Sequence, residues 1–229
     1  METPRANLNF TLGSSSGEET EMFTVVSLVR IADAVDLRDP ITGGHSRRVA
    51  QWCASLLREM HVSTEESELI VNAARLHDIG KIAIPDAILR KPSVLTPDEF
   101  AIMKWHTIRG AEFLENQSDA SRGKAIVRHH HERWDGSGYP DGLSGTGIPF
   151  GARLVAVADS MDAMTADRTY HKGMSVAAAT ELIRSGTGTQ WDPEIVAALL
   201  GLIGRPAQDR LMPLQLFENW PFFPTYLPS

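Results

Sequence analysis

The chain has 229 residues, 42% hydrophobic and 22% charged with both signs present, which excludes the disordered and fibrous classes and suits one generous globular domain with a short appendage. Its net charge of −7 gives no general attraction for nucleic acid or an anionic membrane, so an anionic ligand needs a local source of positive charge such as a bound metal. Cys53 is the only cysteine, which excludes an intrachain disulfide, and its helical setting reads as a passive core thiol.

Residues 1–17, ending in Gly13-Ser14-Ser15-Ser16-Gly17, read as a flexible leader. Glu2, Glu18 and Glu19 interrupt any signal-peptide pattern, and no later apolar run reaches the ~18 residues of a membrane span, so a cytoplasmic protein is expected, with no membrane or nucleic-acid partner. From residue 18 to 35, Met22, Val25, Val26, Val29 and Ala32 recur at helical spacing and predict a first helix. A second is predicted over 41–60 from the stripe Val49, Trp52, Cys53, Leu56 and Leu57. Ser63 followed by Glu66 predicts a capped start for a third helix, which carries Leu69, Ile70, Ala73, Ala74 and Leu76 and ends at His77.

Thr96-Pro97-Asp98-Glu99 is a stronger start signal, with an N-cap residue, proline at the first helical position and glutamate at the third. The helix it opens should run through His106 to about Leu114. A short helix should end in His129-His130-His131, and the turn formers from Asp135 to Gly142 then predict a loop. Helices are expected at 150–166, 175–185 and 193–203, with Ser175 and Asp192-Pro193 as starts. With no alternating run of strand length, the fold reads as an all-α helical bundle. The tail from 205 to 229 reads as irregular and extended, since residues 217–229 hold five of the sixteen aromatics and three prolines.

Eight histidines occur, and the adjacent pair His77-Asp78 stands out because imidazole and carboxylate at one helix end can share a metal while the carboxylate bridges two. Alone, such a dipeptide is more often structural. His45, His106, His130, His131 and Asp159 change the balance, because each lies in or at the end of a predicted helix, and bundles build metal sites from inward side chains on several helices. Mixed imidazole and carboxylate ligands suit iron, manganese, zinc or nickel over calcium or magnesium. His61 and His129 read as surface residues. Asp162, one turn beyond Asp159, is open between a ligand or a partner of the ligands and a solvated or capping role.

The runs Gly43-Gly44-His45-Ser46-Arg47-Arg48-Val49, His77-Asp78-Ile79-Gly80-Lys81 and His130-His131-Glu132-Arg133-Trp134-Asp135-Gly136-Ser137-Gly138-Tyr139-Pro140 resemble the HD-GYP family, a branch of the HD metal phosphohydrolases. Ile148-Pro149, Ala152-Arg153, the run from Ala156 to Ala163 and Asp167-Arg168-Thr169-Tyr170 continue the likeness, which covers about residues 32–200. The resemblance implies an HD-type helical phosphodiesterase domain, placed here at residues 18–204. It implies hydrolysis of a cyclic dinucleotide second messenger, cyclic di-GMP foremost, to the linear dinucleotide and on to GMP in some members. It further implies His45, His77, Asp78, His106, His130, His131 and Asp159 as metal ligands. Asp78 would bridge two metals and Lys81 would lie beside the reacting phosphate.

Two divalent ions, iron or manganese foremost, are expected rather than three, because the glutamate that some members place four residues before the first histidine is Ile41 here. A metal pair would remove the repulsion between a phosphodiester anion and hydroxide, and would acidify the attacking water. Lys81 would stabilise the charge that develops on phosphorus-bound oxygen, or else simply cap a helix end. Gly138, Tyr139 and Pro140 are expected to contact substrate, or to do no more than position the preceding histidines. The resemblance adds Arg168 as a phosphate contact. Many members carry Lys or Arg three residues later, where this chain has His171 followed by Lys172.

Two competing functions stay open: a broader HD-type nucleotide phosphohydrolase, and an inactive domain that binds the messenger or a diguanylate cyclase. With few residues before Ala32, either a domain that acts without a fused sensor or a piece of a longer chain is expected, and the apolar stripe of the first helix suits a homodimer.

Overall fold

The computed structural model describes residues 25–38, 44–117, 119–167 and 172–211. The leader, Ile41, Arg168, His171 and the aromatic-rich end of the tail lie outside them. The described residues form helices with no strand, in agreement with the all-α expectation. The main elements are α1 (Val25–Arg38), α2 (His45–Glu59), α3 (Thr64–Leu76), α4 (Asp86–Leu89), α5 (Pro97–Glu115), α6 (Lys124–His129), α7 (Phe150–Thr165), α8 (Val176–Ser185), α9 (Pro193–Ile203) and α10 (Ala207–Arg210). None is long and apolar enough to cross a membrane.

The start signals work as their chemistry requires. Thr96 accepts from the Glu99 N–H while the Glu99 carboxylate accepts from the Thr96 N–H, a full capping box. Ser63, Ser175 and Asp192 each accept from a first-turn amide of α3, α8 and α9. α2 has no side-chain cap of its own, and buried Asp36 of α1 takes that place by accepting from Ser46 N–H and Oγ–H, both at 2.9 Å.

Several elements differ from the sequence reading, among them α2, which starts at His45 after the left-handed Gly44. α1 runs three residues past Val35, because Arg38 reaches across to the carboxylate of Asp86 and the carbonyls of Ile82 and Ile84. A 3-10 turn over Ile79–Ala83 and the single-turn α4 were not expected, being too short to show an apolar period. The stretch after Gly204, expected to be irregular, holds α10, whose start is preset by Pro206.

The main core joins α2, α3, α7, α8 and α9 through residues such as Leu56, Leu57, Ile70, Val155, Met161, Ile183 and Leu199. Each such burial contributes about 1.5–3 kcal/mol. Cys53 lies wholly inside it, with burial pushing its thiol up, so the passive reading holds. A second cluster packs Leu28, Val29 and Ala32 of α1 on Leu76, Ile79, Leu114 and Val127. His77, at the end of α3, follows Leu76 directly and so is set beside this second cluster.

Candidate metal centre

His77 caps α3, and the chain turns at once into the 3-10 segment that carries Gly80 and Lys81. Gly80 presses on α5 so closely that a Cβ there would meet the His106 carbonyl oxygen at 1.9 Å and the Gly110 nitrogen at 2.4 Å. Only glycine allows that approach, which brings Asp78 and His106 together. The His106 Nε2 lies 3.5 Å from Asp78 Oδ1. On the other side, Asp78 Oδ2 lies 3.3 Å from His77 Nε2 and 3.9 Å from His45 Nε2. His130 and His131, at the end of α6, join His106 in one group whose ligand atoms lie within 4.8 Å of one another, and His45, His77 and Asp78 form a second such group. Asp159 of α7 faces His45, with Oδ1 3.1 Å from Nε2.

All seven residues singled out as ligands therefore converge, and Asp78 directs one oxygen to each group. Lys81 is beside them, with Nζ 2.8 Å from Asp78 Oδ2.

The far nitrogens show how the rings are aimed. His77, His106 and His130 each set Nδ1 against the carbonyl three residues earlier, of Ala74, Met103 and Val127, at 2.7–2.8 Å. A carbonyl only accepts, so Nδ1 carries the hydrogen and Nε2 offers its lone pair inward. His106 Nε2 and His130 Nε2 then face each other at 3.4 Å as two lone pairs, and His77 Nε2 is buried with no hydrogen bond of acceptable geometry. Bare lone pairs this close repel unless a cation lies between them, so the residues fit a divalent metal.

The electrostatics agree. Burial, with His131 packed against it, holds His130 well below the usual imidazole range, and burial with His106 nearby lowers His131 to about 3. Both are thus neutral donors. Burial alone would lower His45, but hydrogen bonds to Asp159 and Asp162 outweigh it and raise it to about 10. Asp78 is buried, which opposes its charge, yet the Lys81 ammonium beside it holds it well below the carboxylate range.

Asp162 is a partner of His45, one of the candidate ligands. Its Oδ2 lies 2.7 Å from His45 Nδ1, and Arg48 grips the same carboxylate through Nε at 2.6 Å and Nη2 at 3.1 Å. Sequence reading passed over Arg48, although its place one turn after His45 put it on the same helix face.

The Tyr139 loop folds back on itself. A Cβ on Gly138 would meet the Arg133 nitrogen at 2.3 Å, and Glu132 Oε1 accepts from the backbone N–H of Asp141 and Gly142 at 2.7 and 3.0 Å. The Tyr139–Pro140 peptide is cis. Tyr139 thereby lays its ring 5.0 Å from that of His131, at 30°. Glu132, assigned no role from the sequence, is nearly fully buried. His129 departs from its surface reading: its ring is pinned between the Ala125 carbonyl and Asp141, whereas His61 is indeed exposed. Lys172 is exposed and makes no ion pair or hydrogen bond with the cluster.

A family model of the HD domain matches residues 30–195. The chain belongs to the HD domain family. Its Gly138-Tyr139-Pro140 loop and its relatives place it in the HD-GYP branch. It is 42% identical over 188 residues to the cyclic di-GMP phosphodiesterase response regulator RpfG of Xanthomonas campestris, covering 81% of this chain and 50% of the relative. It is 43% identical over 186 residues to a cyclic di-GMP phosphodiesterase of Thermotoga maritima, covering 80% of this chain and 50% of the relative. It is 40% identical over 172 residues to the 3'3'-cGAMP-specific phosphodiesterase 2 of Vibrio cholerae, covering 74% and 33%. The HD chain thus spans between a third and half the length of these curated relatives.

Among solved structures, the cyclic GMP-AMP phosphodiesterase V-cGAP3 of V. cholerae aligns with TM-score 0.64 at 17% identity, over 81% of this chain and 50% of that one. Bd1817 of Bdellovibrio bacteriovorus aligns with TM-score 0.57 at 19% identity, over 80% and 65%. Both share the HD fold.

Proposed function

We propose that this chain hydrolyses a cyclic dinucleotide, cyclic di-GMP foremost, to the linear dinucleotide, with two divalent ions of iron or manganese held by the seven His and Asp residues. The observation that carries this reading is Asp78, whose Oδ2 faces His45 and His77 while its Oδ1 faces His106. His45, His77 and Asp159 would hold one ion, His106, His130 and His131 the other, and Asp78 both. When bound, such a pair supplies Lewis acidity and lowers the pKa of water toward neutrality. The names of the relatives at 40–43% identity support the substrate class.

The chain's own groups supply the rest. Lys81, tethered to Asp78 at 2.8 Å, puts a fixed positive charge where negative charge grows on a phosphoryl oxygen. The carbonyl-held Nδ1 atoms fix the imidazoles of His77, His106 and His130 before any ligand arrives, so little reorganisation is needed during reaction. Tyr139, stacked near His131, borders the centre on the side where a nucleoside would extend.

The test is to load the protein with iron(II) or manganese(II), quantify bound metal, and follow cyclic di-GMP, mixed cyclic GMP–AMP and linear dinucleotide by chromatography. Turnover of a cyclic dinucleotide that vanishes in Asp78→Ala is expected. A protein with two metals bound that cleaves none of the three would overturn the reading.

A further inference from the structure

On α5, Phe100 and Lys104 stand one turn apart on the same face, and His106 lies two residues further on. Lys104 Nζ sits 4.8 Å from the centre of the Phe100 ring and 5.2 Å from that of Tyr139. The two rings meet edge to face, 6.3 Å apart, and Tyr139 continues the row to His131 of the metal centre. Phe100 keeps 45% of its surface exposed, although it starts a well-capped helix whose apolar residues could have been turned inward. Lys104 forms no ion pair among the described residues, in a chain whose net charge is −7. An aromatic pair left half open, with an ammonium between the rings and no carboxylate to neutralise it, sits at the edge of a centre built for phosphodiesters.

A planar base has faces that stack on aromatic rings. Its edge decides what an ammonium does: guanine offers the O6 and N7 acceptors side by side, whereas adenine offers N7 beside the N6 amino donor. We propose that Phe100, Lys104 and Tyr139 form a base-binding subsite that takes a guanine of the cyclic dinucleotide, with Phe100 and Tyr139 as its stacking surface and Lys104 donating to O6 and N7. This rests on the cyclic-dinucleotide reading above for the identity of the ligand. Phe100 and Lys104 determine affinity and base choice and hold no metal.

Two measurements on the metal-loaded chain test it. The first is steady-state hydrolysis of cyclic di-GMP, of cyclic di-AMP and of the abasic cyclic di-ribose phosphodiester, which has no base and no aromatic ring. Phe100→Ala is expected to raise KM for cyclic di-GMP roughly 5- to 100-fold, Phe100→Tyr to keep it near wild type, and all variants to cleave the base-free diester at the wild-type rate. Lys104→Met is expected to reduce the preference for cyclic di-GMP over cyclic di-AMP about tenfold or more. The second is calorimetric binding of GMP and AMP, in which the wild type prefers GMP and both Phe100→Ala and Lys104→Met lose that preference.

Unchanged KM and unchanged base preference in both variants would overturn the subsite, as would an equal loss on the base-free diester, which would show the two residues acting through the metal centre. If the wild type cleaves no cyclic dinucleotide yet prefers GMP in a Phe100- and Lys104-dependent way, the subsite stands and the phosphodiesterase reading falls.

Discussion

On one side of Asp78, His45 is clamped by Asp162 and faces Asp159, so the wall made by α2 and α7 is rich in carboxylate. On the other, His106, His130 and His131 stand together, and the carboxylate oxygen facing them is Oδ1 of Asp78 itself. The first wall tunes His45 by charge, while in the second backbone carbonyls fix His106 and His130 and burial keeps all three histidines neutral. Under the proposed two-metal reading, such a centre would treat its two ions unequally: the carboxylate-rich half would attract a cation strongly, and the imidazole half would offer softer donors with fixed aim.

The largest expected effect removes the residue common to both halves. Asp78→Ala should cost both ions and lower turnover roughly a thousandfold or more, since Lewis-acid stabilisation is worth several kcal/mol. Elemental analysis alongside rate measurement checks it; a variant that keeps two ions per chain would break the bridging assignment. Next comes Asp162→Ala, which frees His45 Nδ1 and leaves Arg48 without its carboxylate. It should weaken one ion about 10- to 100-fold and leave the other as it was, read by chelator competition with Asp162→Glu as the rescuing variant. Equal weakening of both would erase the contrast between the halves.

Glu132→Ala should leave both ions in place and instead loosen the Tyr139 loop. Two backbone amides lose their acceptor, at a cost of about 1–3 kcal/mol, so thermal stability falls and KM for the dinucleotide rises while metal content holds. The smallest effect is a pH response in the same loop. Bonds from Arg128, with help from His129, hold Asp141 down at about 2. A depressed carboxylate stabilises the fold above its unfolded value near 4 and loses that contribution as pH falls toward 2. The Asp141 side chain is 36% exposed, so solvent screening limits the contribution to under about 1 kcal/mol. Melting curves between pH 6 and pH 2.5 for wild type and Asp141→Asn should converge at the acid end.

Much of the site was legible because metal ligation constrains residue type: imidazole and carboxylate at helix ends leave few alternatives, and the runs around His77, His130 and Asp159 carry their own neighbours with them. The starts of α3, α5, α8 and α9 were legible for a similar reason, since capping is a short-range contact between residues two or three apart. The clamp of Asp162 and Arg48 on His45 was not, because its partners are 114 and 117 positions apart and either acid on α7 suited the pattern. Nor was the role of Phe100, which on the sequence is one more apolar residue in a helix.

The sequence by itself determined which side chains are candidates for the chemistry and most of the helical segments, because ligand chemistry, apolar period and caps are local properties. The tertiary structure alone decided that Gly80 lets α5 close on the Asp78 turn, that Asp78 directs one oxygen to each cluster, and that Phe100 and Lys104 meet Tyr139 at the rim. Those relations depend on how helices far apart in the chain pack through the space between them, and no local pattern encodes that distance.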